Sequence, residues 1–109
     1  MKSYKIVLSP LAEADLAAII DWIADQSSIR VARGFVSRIE RRLSSLKRFP
    51  LRGTQCDDLA PGLRLIGLEN RVTILFRVDD KAVIVERVLY GGRDLERAFP
   101  KSDRQVSDA

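Results

Sequence analysis

The chain has no histidine, a single cysteine (Cys56), a single tryptophan and few aromatic residues of any kind. Each shortage removes a class of chemistry. Without histidine there is no Cys–His nucleophile pair, and the ordinary Cys/His zinc sites are excluded. One cysteine rules out an intrachain disulfide and fits a cytoplasmic location. Its neighbours Asp57 and Asp58 disfavour a thiolate. No apolar run approaches the roughly 20 residues of a membrane span, so no membrane partner is expected. The opening stretch MKSYKIVLSP has too short an apolar core for a secretory signal. Adjacent Asp57 and Asp58 read as a turn, and neither a metal nor a cofactor is expected.

What remains is a 109-residue chain with 46% hydrophobic residues and a net charge of +4. That length suits one domain with one two-layer core. The positive charge suits nucleic acid or an acidic protein partner, and it is equally compatible with simple solubility.

The most informative stretch is RVTILFRVDDKAVIVERVLYGGRD, Arg71 to Asp94. Val72, Ile74, Phe76 and Val78 alternate with Arg71, Thr73, Leu75 and Arg77, the period of a strand with one buried face. Asp79-Asp80-Lys81 supplies a polar turn, and Ala82 to Tyr90 a second strand rich in β-branched residues. Gly91-Gly92 ends it. A two-residue turn places Val72, Ile74, Phe76, Val78, Val83, Val85, Arg87 and Leu89 on a core face. It leaves Arg71, Thr73, Leu75, Arg77, Ile84, Glu86, Val88 and Tyr90 on an open face. An odd number of turn residues would exchange these sets.

Upstream, Tyr4 to Leu8 reads as an edge strand. Ser9-Pro10 is a helix start, with Ser as N-cap and Pro at the first helical position. The helix extends to about Asp25 with a stripe of Ala12, Leu16, Ile19, Ile20 and Ile23, and Glu13 and Asp15 suit its dipole. Trp22 lies beside the stripe as packing. After Ser27-Ser28 a second helix runs from about Ile29 to Arg48 on Ala32, Phe35, Val36, Ile39, Leu43 and Leu46. Its outer face is basic and reads as solvated. Pro50 stops it, and Leu51 to Gly62 is a loop. Leu63 to Leu68 is a further strand, turned at Glu69-Asn70. The parity argument puts Leu63 and Leu65 on the core face and Arg64, Ile66 and Leu68 on the open one. Asp94 to Phe99 suits a helical turn.

The order β-α-α-β-β-β predicts a two-layer α+β domain over residues 1–99. In it an N-terminal helical hairpin covers a mainly antiparallel sheet, and 100–109 form a polar tail.

The open face then gathers Arg64, Arg71, Arg77, Glu86 and Tyr90, with Arg93 just past the strand. Guanidinium groups in such a cluster suit phosphates or carboxylates, and a tyrosine ring can stack on a base. The competing description is a solvated face on which Arg77 and Glu86 form a cross-strand pair. Arg87, on the core face, either reaches water along its stem or pairs with a carboxylate of the first helix.

The order of elements, with FPLRG (Phe49 to Gly53), PGLR (Pro61 to Arg64), the hairpin RVTILFRVDD and the ending RVLYGGRD, resembles the RelE/ParE toxin superfamily. The ending resembles the ParE branch. Arg87, Val88, Leu89, Gly91, Arg93 and Asp94 keep that branch's pattern, and Tyr90 stands where the pattern has histidine. Leu75 stands where a tyrosine is common. The resemblance implies the toxin of a type II toxin–antitoxin pair, neutralised by a cognate antitoxin. ParE-like members poison DNA gyrase, for which Arg64, Arg77, Arg87, Tyr90 and Arg93 are the target-binding candidates. The alternative is a RelE-like interferase acting on mRNA in the ribosome, with Arg64, Arg77, Glu86 and Tyr90 as candidate catalytic groups. Arginine stabilises anions but is a poor base, which leaves Tyr90 and Glu86 to move protons. A chain that only binds its partner is a third possibility.

Overall fold

Ser9 joins the two layers of the structure. In the computed structural model, which describes residues 3–91, strand β1 (Lys5–Leu8) ends one residue before helix α1 (Pro10–Gln26). The Ser9 hydroxyl accepts the Ala12 amide at 3.0 Å as the N-cap, and it donates to the Glu86 carbonyl at 2.8 Å. One side chain thus starts the helix and pins it to the sheet. Ser28 caps α2 (Ile29–Ser44) in the same way through the Val31 amide at 3.1 Å. A 3-10 turn, Ser45–Lys47, ends the helical hairpin.

Four strands follow: β2 (Thr54–Gln55), β3 (Arg64–Leu68), β4 (Val72–Val78) and β5 (Ala82–Tyr90). The sheet order is β1-β5-β4-β3-β2. Strand β1 lies parallel to β5, and all other pairs are antiparallel. The helical hairpin covers one face of this mainly antiparallel sheet, the expected α+β arrangement, with the two-residue β2 added. The expected helical turn at 94–99 and the tail at 100–109 lie outside the described residues.

The helix-covered core holds Ala12, Ile19 and Ile23 of α1 and Ala32, Phe35, Ile39 and Leu43 of α2. They pack on Val72, Ile74, Phe76, Val83, Val85 and Val88 of the sheet. Both helical stripes therefore face the sheet as their spacing predicts.

Two faces differ from the sequence expectation, each for a counting reason. The β4–β5 turn is two residues long: the Asp79 amide donates to the Ala82 carbonyl at 2.9 Å, and Val78, Arg77 and Phe76 pair with Val83, Ile84 and Val85. A β-bulge at Glu86 then breaks the register, so Leu75 pairs with Arg87 and Ile74 with Val88. The extra residue exchanges faces. Val88 and Tyr90 turn to the helices, and Arg87 and Leu89 turn away. In the β3–β4 turn, Leu68 pairs with Val72, leaving Glu69, Asn70 and Arg71 in the connection. Glu69 and Asn70 both take left-handed φ, 55° and 58°. This odd count puts Ile66 in the helix-covered core and Leu63 and Leu65 on the other face, the reverse of the expected assignment.

The face away from the helices is not open throughout. Leu75 and Leu89 are buried there with Cys56 and Leu63, and Leu59, Ala60 and Leu65 pack around them. The 56–63 loop supplies this cover and closes on itself, with the Cys56 amide donating to the Leu63 carbonyl at 2.8 Å. Gly53 admits the loop. Its φ is +81°, and a Cβ there would stand 2.2 Å from the Leu65 carbonyl oxygen. Only glycine permits that approach.

Candidate target-binding surface

The face of the sheet away from the helices carries Arg77, Glu86 and Arg87. Arg77 and Glu86 form the cross-strand pair at 2.5 Å, with Arg77 half exposed. Arg87 pairs with the first helix, the second of its two expected roles. Its Nε and Nη2 donate to the two Asp15 carboxylate oxygens at 2.8 and 2.9 Å. The Val88 amide donates to the same carboxylate at 2.9 Å. Asp15 therefore does more than suit the helix dipole. Strand β1 stops pairing with β5 at Leu8, opposite Val85. Beyond that point Ser9 and Asp15 occupy the polar groups of the β5 edge. The bidentate geometry also fixes the Arg87 side chain.

Arg64 and Tyr90 do not join this group. Arg64 pairs in register with Phe76, so it shares the helix-side face, and it donates to the Arg52 carbonyl at 3.4 Å. Tyr90 packs on the helix-covered core, its ring 5.2 Å from Trp22 and 6.0 Å from Phe35. The expected gathering of Arg64, Arg77, Glu86 and Tyr90 on one face is thus corrected: Glu86 and Tyr90 lie on opposite faces of the sheet. Trp22 packs as expected, yet remains half exposed beside Tyr90. Arg93 lies outside the described residues.

Sequence reasoning passed over two apolar side chains in the FPLRG stretch. Pro50 is buried, whereas Phe49 and Leu51 on either side stand 65% and 68% exposed. Arg52 donates to the Ser45 hydroxyl at 3.1 Å, and with Arg64 bound to its carbonyl this loop is held against β3. Alternation of exposed apolar residues around a proline was the available signal.

A polar cleft of about 410 Å³ opens at the other end of the sheet, lined by Gly67, Glu69, Arg71, Thr73 and Gly91 among others. It includes neither Glu86 nor Tyr90. Burial raises the Cys56 thiol pKa, with Asp58 and Asp57 adding to the effect, so this group is a poor nucleophile. Among the described residues no cluster of His, Cys, Asp and Glu could hold a metal ion, and no helix is long and apolar enough to cross a membrane.

This arrangement of a helical hairpin on a five-stranded sheet recurs in solved structures. One, a chromosomal ParDE toxin–antitoxin system from P. aeruginosa, matches with a TM-score of 0.72 at 24% identity, covering 82% of this chain and 97% of that one. Another, the RelBE2 toxin–antitoxin complex from Mycobacterium tuberculosis, matches with a TM-score of 0.55 at 21% identity, covering 83% and 93%. The fold is that of the RelE/ParE superfamily. Within it, residues 6–95 match the family described as the ParE toxin of the type II toxin–antitoxin system parDE, and the chain belongs to that family. Curated relatives agree. Toxin ParE1 of Mycobacterium tuberculosis (strain CDC 1551 / Oshkosh) is 29% identical over 96 residues, 87% of this chain and 97% of the relative. Toxin ParE3 of Caulobacter vibrioides is 26% identical over 97 residues, 89% and 96%.

Proposed function

We propose that this ParE-type toxin acts in the bacterial cytoplasm by inhibiting DNA gyrase, and that a cognate antitoxin neutralises it. The observation that carries this reading against RNA cleavage is the separation of Glu86 from Tyr90. Cutting RNA through its 2′-hydroxyl benefits from a base and an acid converging on one phosphate. Here the two candidate groups stand on opposite faces of the sheet, Glu86 already paired with Arg77 and Tyr90 set between Trp22 and Phe35. Binding needs no such convergence. Exposed Phe49 and Leu51, beside Arg64, offer an apolar anchor with a guanidinium at hand, and Arg77 offers a second charge on the far face. Arg87 is committed to Asp15 and serves by positioning the strand end. Arg64, Arg77 and Arg93, the last of these outside the described residues, would meet protein carboxylates or gyrase-bound DNA.

The antitoxin docks as a strand or helix. Strand β1 is an edge of the sheet, and Val7 on it is 40% exposed, which fits addition of a partner strand. Size exclusion and calorimetry with the product of the neighbouring reading frame test this, and no binding at micromolar concentration would count against it.

The mechanism is tested by measuring gyrase supercoiling beside ribosome-dependent mRNA cleavage with purified toxin. Loss of supercoiling with intact mRNA is expected. The Glu86→Gln/Tyr90→Phe double variant should keep that inhibition, because both changes nearly preserve shape. Site-specific mRNA cleavage with gyrase unaffected would overturn the reading in favour of an interferase.

A further inference from the structure

The two helices of the hairpin carry opposite charge. Helix α1 holds Glu13, Asp15, Asp21 and Asp25 and no basic residue. From Arg30 to Arg52 the chain holds eight basic residues, Arg30, Arg33, Arg38, Arg41, Arg42, Lys47, Arg48 and Arg52, against Glu40 alone.

Apart from Lys47, in the 3-10 turn, the basic residues of this segment divide by use. Arg38 stacks over Phe35 and pairs with Glu69, Arg42 donates to the Gly67 carbonyl, and Arg52 donates to Ser45. Arg38 and Arg42 tie α2 to the end of β3 and its turn, and Arg52 holds the following loop to the end of the helical hairpin. Arg30, Arg33, Arg41 and Arg48 are exposed, and none makes an ion pair among the described residues. At 100° per residue, Arg30, Arg33 and Arg41 fall within roughly 80° of one another on the wheel of α2. Ser37 and Ser44 lie in the same sector and are exposed. Arg48 follows just past the 3-10 turn.

Helix stability accounts for only part of this stripe: Arg41, in the last turn of α2, suits the helix dipole. Arg30 and Arg33 stand in the first turns of α2, where no acidic residue is present, so they oppose the helix dipole. Arg30 with Arg33 is a like-charge pair at helical spacing, and Arg38 with Arg41 is another, and such pairs destabilise a helix. The composition also selects the partner. A protein interface is anchored by apolar and aromatic side chains, and this sector offers only arginine and serine. Recognition of single strands uses aromatic rings on which bases stack, and the sector has none. Arginine and serine are donors to phosphate. From Arg30 to Arg41 the stripe runs roughly 17 Å, about five base-pair steps of duplex. A helix can lie along the wide major groove of DNA and reach the phosphates on its rims, whereas the deep, narrow major groove of double-stranded RNA admits none.

We propose that the exposed face of α2 binds the phosphate backbone of double-stranded DNA without sequence preference, through Arg30, Arg33, Arg41 and Arg48. This site is separate from the surfaces assigned to gyrase and antitoxin, and it stands or falls independently of them.

The test is fluorescence anisotropy of the purified chain with a DNA duplex of about 20 base pairs across a salt series. Four phosphate contacts give a slope of log K against log salt near −3.6, which is a loss of about a hundredfold in affinity between 50 and 200 mM salt. The variant with Arg30, Arg33, Arg41 and Arg48 changed to Gln should bring the slope to within about one unit of zero. Amide shifts of the unmodified chain on titration with the duplex should cluster on α2, a readout that requires no variant to fold. Absence of binding at about 50 mM salt, an unaltered slope in the fourfold variant, shifts centred elsewhere, or tighter binding to double-stranded RNA or to single strands would each overturn the proposal.

Discussion

On one side of the sheet Val72, Ile74, Phe76, Val83, Val85 and Val88 are buried beneath two helices. On the other, Leu75 and Leu89 are buried beneath a loop, with Cys56 and Leu63 as their buried partners, and the same face ends in paired charges. The helix side is a core in the usual sense, broad and continuous. The loop side is a small cluster closed by backbone hydrogen bonds and a glycine. The difference separates what holds the domain together from what shapes its surface. A helix layer excludes water over several strands at once, whereas a loop protects only what its own side chains cover.

The comparison can be broken or sharpened by substitution. Phe76 is fully buried at the centre of the helix side, so Phe76→Ala should cost about 3–5 kcal/mol in urea unfolding. A loss below about 1 kcal/mol would mean that the principal core lies elsewhere. Leu75→Ala on the loop side should cost about 2–3 kcal/mol, since the loop can partly collapse into the space. Hydrogen exchange should sharpen that result: the Cys56 amide, bonded to the Leu63 carbonyl, should lose protection before the Val85 amide does. Equal losses at both would make the two sides one cooperative unit.

The ion pairs extend the ranking downward. Asp15→Ala removes both oxygens that hold Arg87 and leaves the Val88 amide without its acceptor. With the two side chains 27% and 15% exposed, the expected cost is about 1–3 kcal/mol. Arg77→Gln, at the more exposed pair, should cost less than about 1 kcal/mol. The order reversed would show that Asp15 does not hold the β5 edge.

The smallest effect belongs to the hairpin turn. The backbone amides of Lys81 and Ala82, and then Arg77, hold the Asp79 carboxyl below the usual range. A depressed folded-state pKa gives stability that is present above the unfolded value, near 4, and is lost as pH falls through the folded value. Asp79→Ala should therefore lower the urea midpoint slightly at neutral pH, and the gap from the unmodified chain should close below about pH 4. A gap that persisted undiminished at low pH would contradict the charge-assisted turn.

The helix layer was legible in the sequence because its signals are local. Ser9-Pro10 marks a cap, and Ala12, Ile19, Ile23, Ala32, Phe35, Ile39 and Leu43 repeat at a spacing that only one face of a helix satisfies. Alternation likewise placed Phe76 correctly. The candidate site was legible only in pieces. The Arg77–Glu86 pair and a carboxylate for Arg87 were foreseen; the company of Arg64 and Tyr90 was not. In a strand the period is two, so one residue reverses every later assignment. Val88 and Leu89 are both apolar and both buried, on opposite faces, so β5 offered no alternation from which its bulge could be read. Leu65 and Ile66 pose the same ambiguity in β3. Nothing about Glu69-Asn70 stated whether the connection took two residues or three.

The parallel pairing of β1 with β5 has a consequence for the order in which the protein is made. Lys5 pairs with Ala82 and Leu8 with Val85, so β1, made before the other four strands of this sheet, must wait for β5, made after them. Until then β1 has an unsatisfied edge, and the α1 stripe lacks its β5 partners Val83, Val85 and Val88. The Ser9 hydroxyl lacks the Glu86 carbonyl, and Asp15 lacks both Arg87 and the Val88 amide. Pairings that span most of a chain form late and slowly, because their loop-closure entropy precedes any gain. Completion of the sheet is thus deferred until β5 has been made, and a nascent chain cut short before β5 would leave β1 and α1 without the surface they were built to meet.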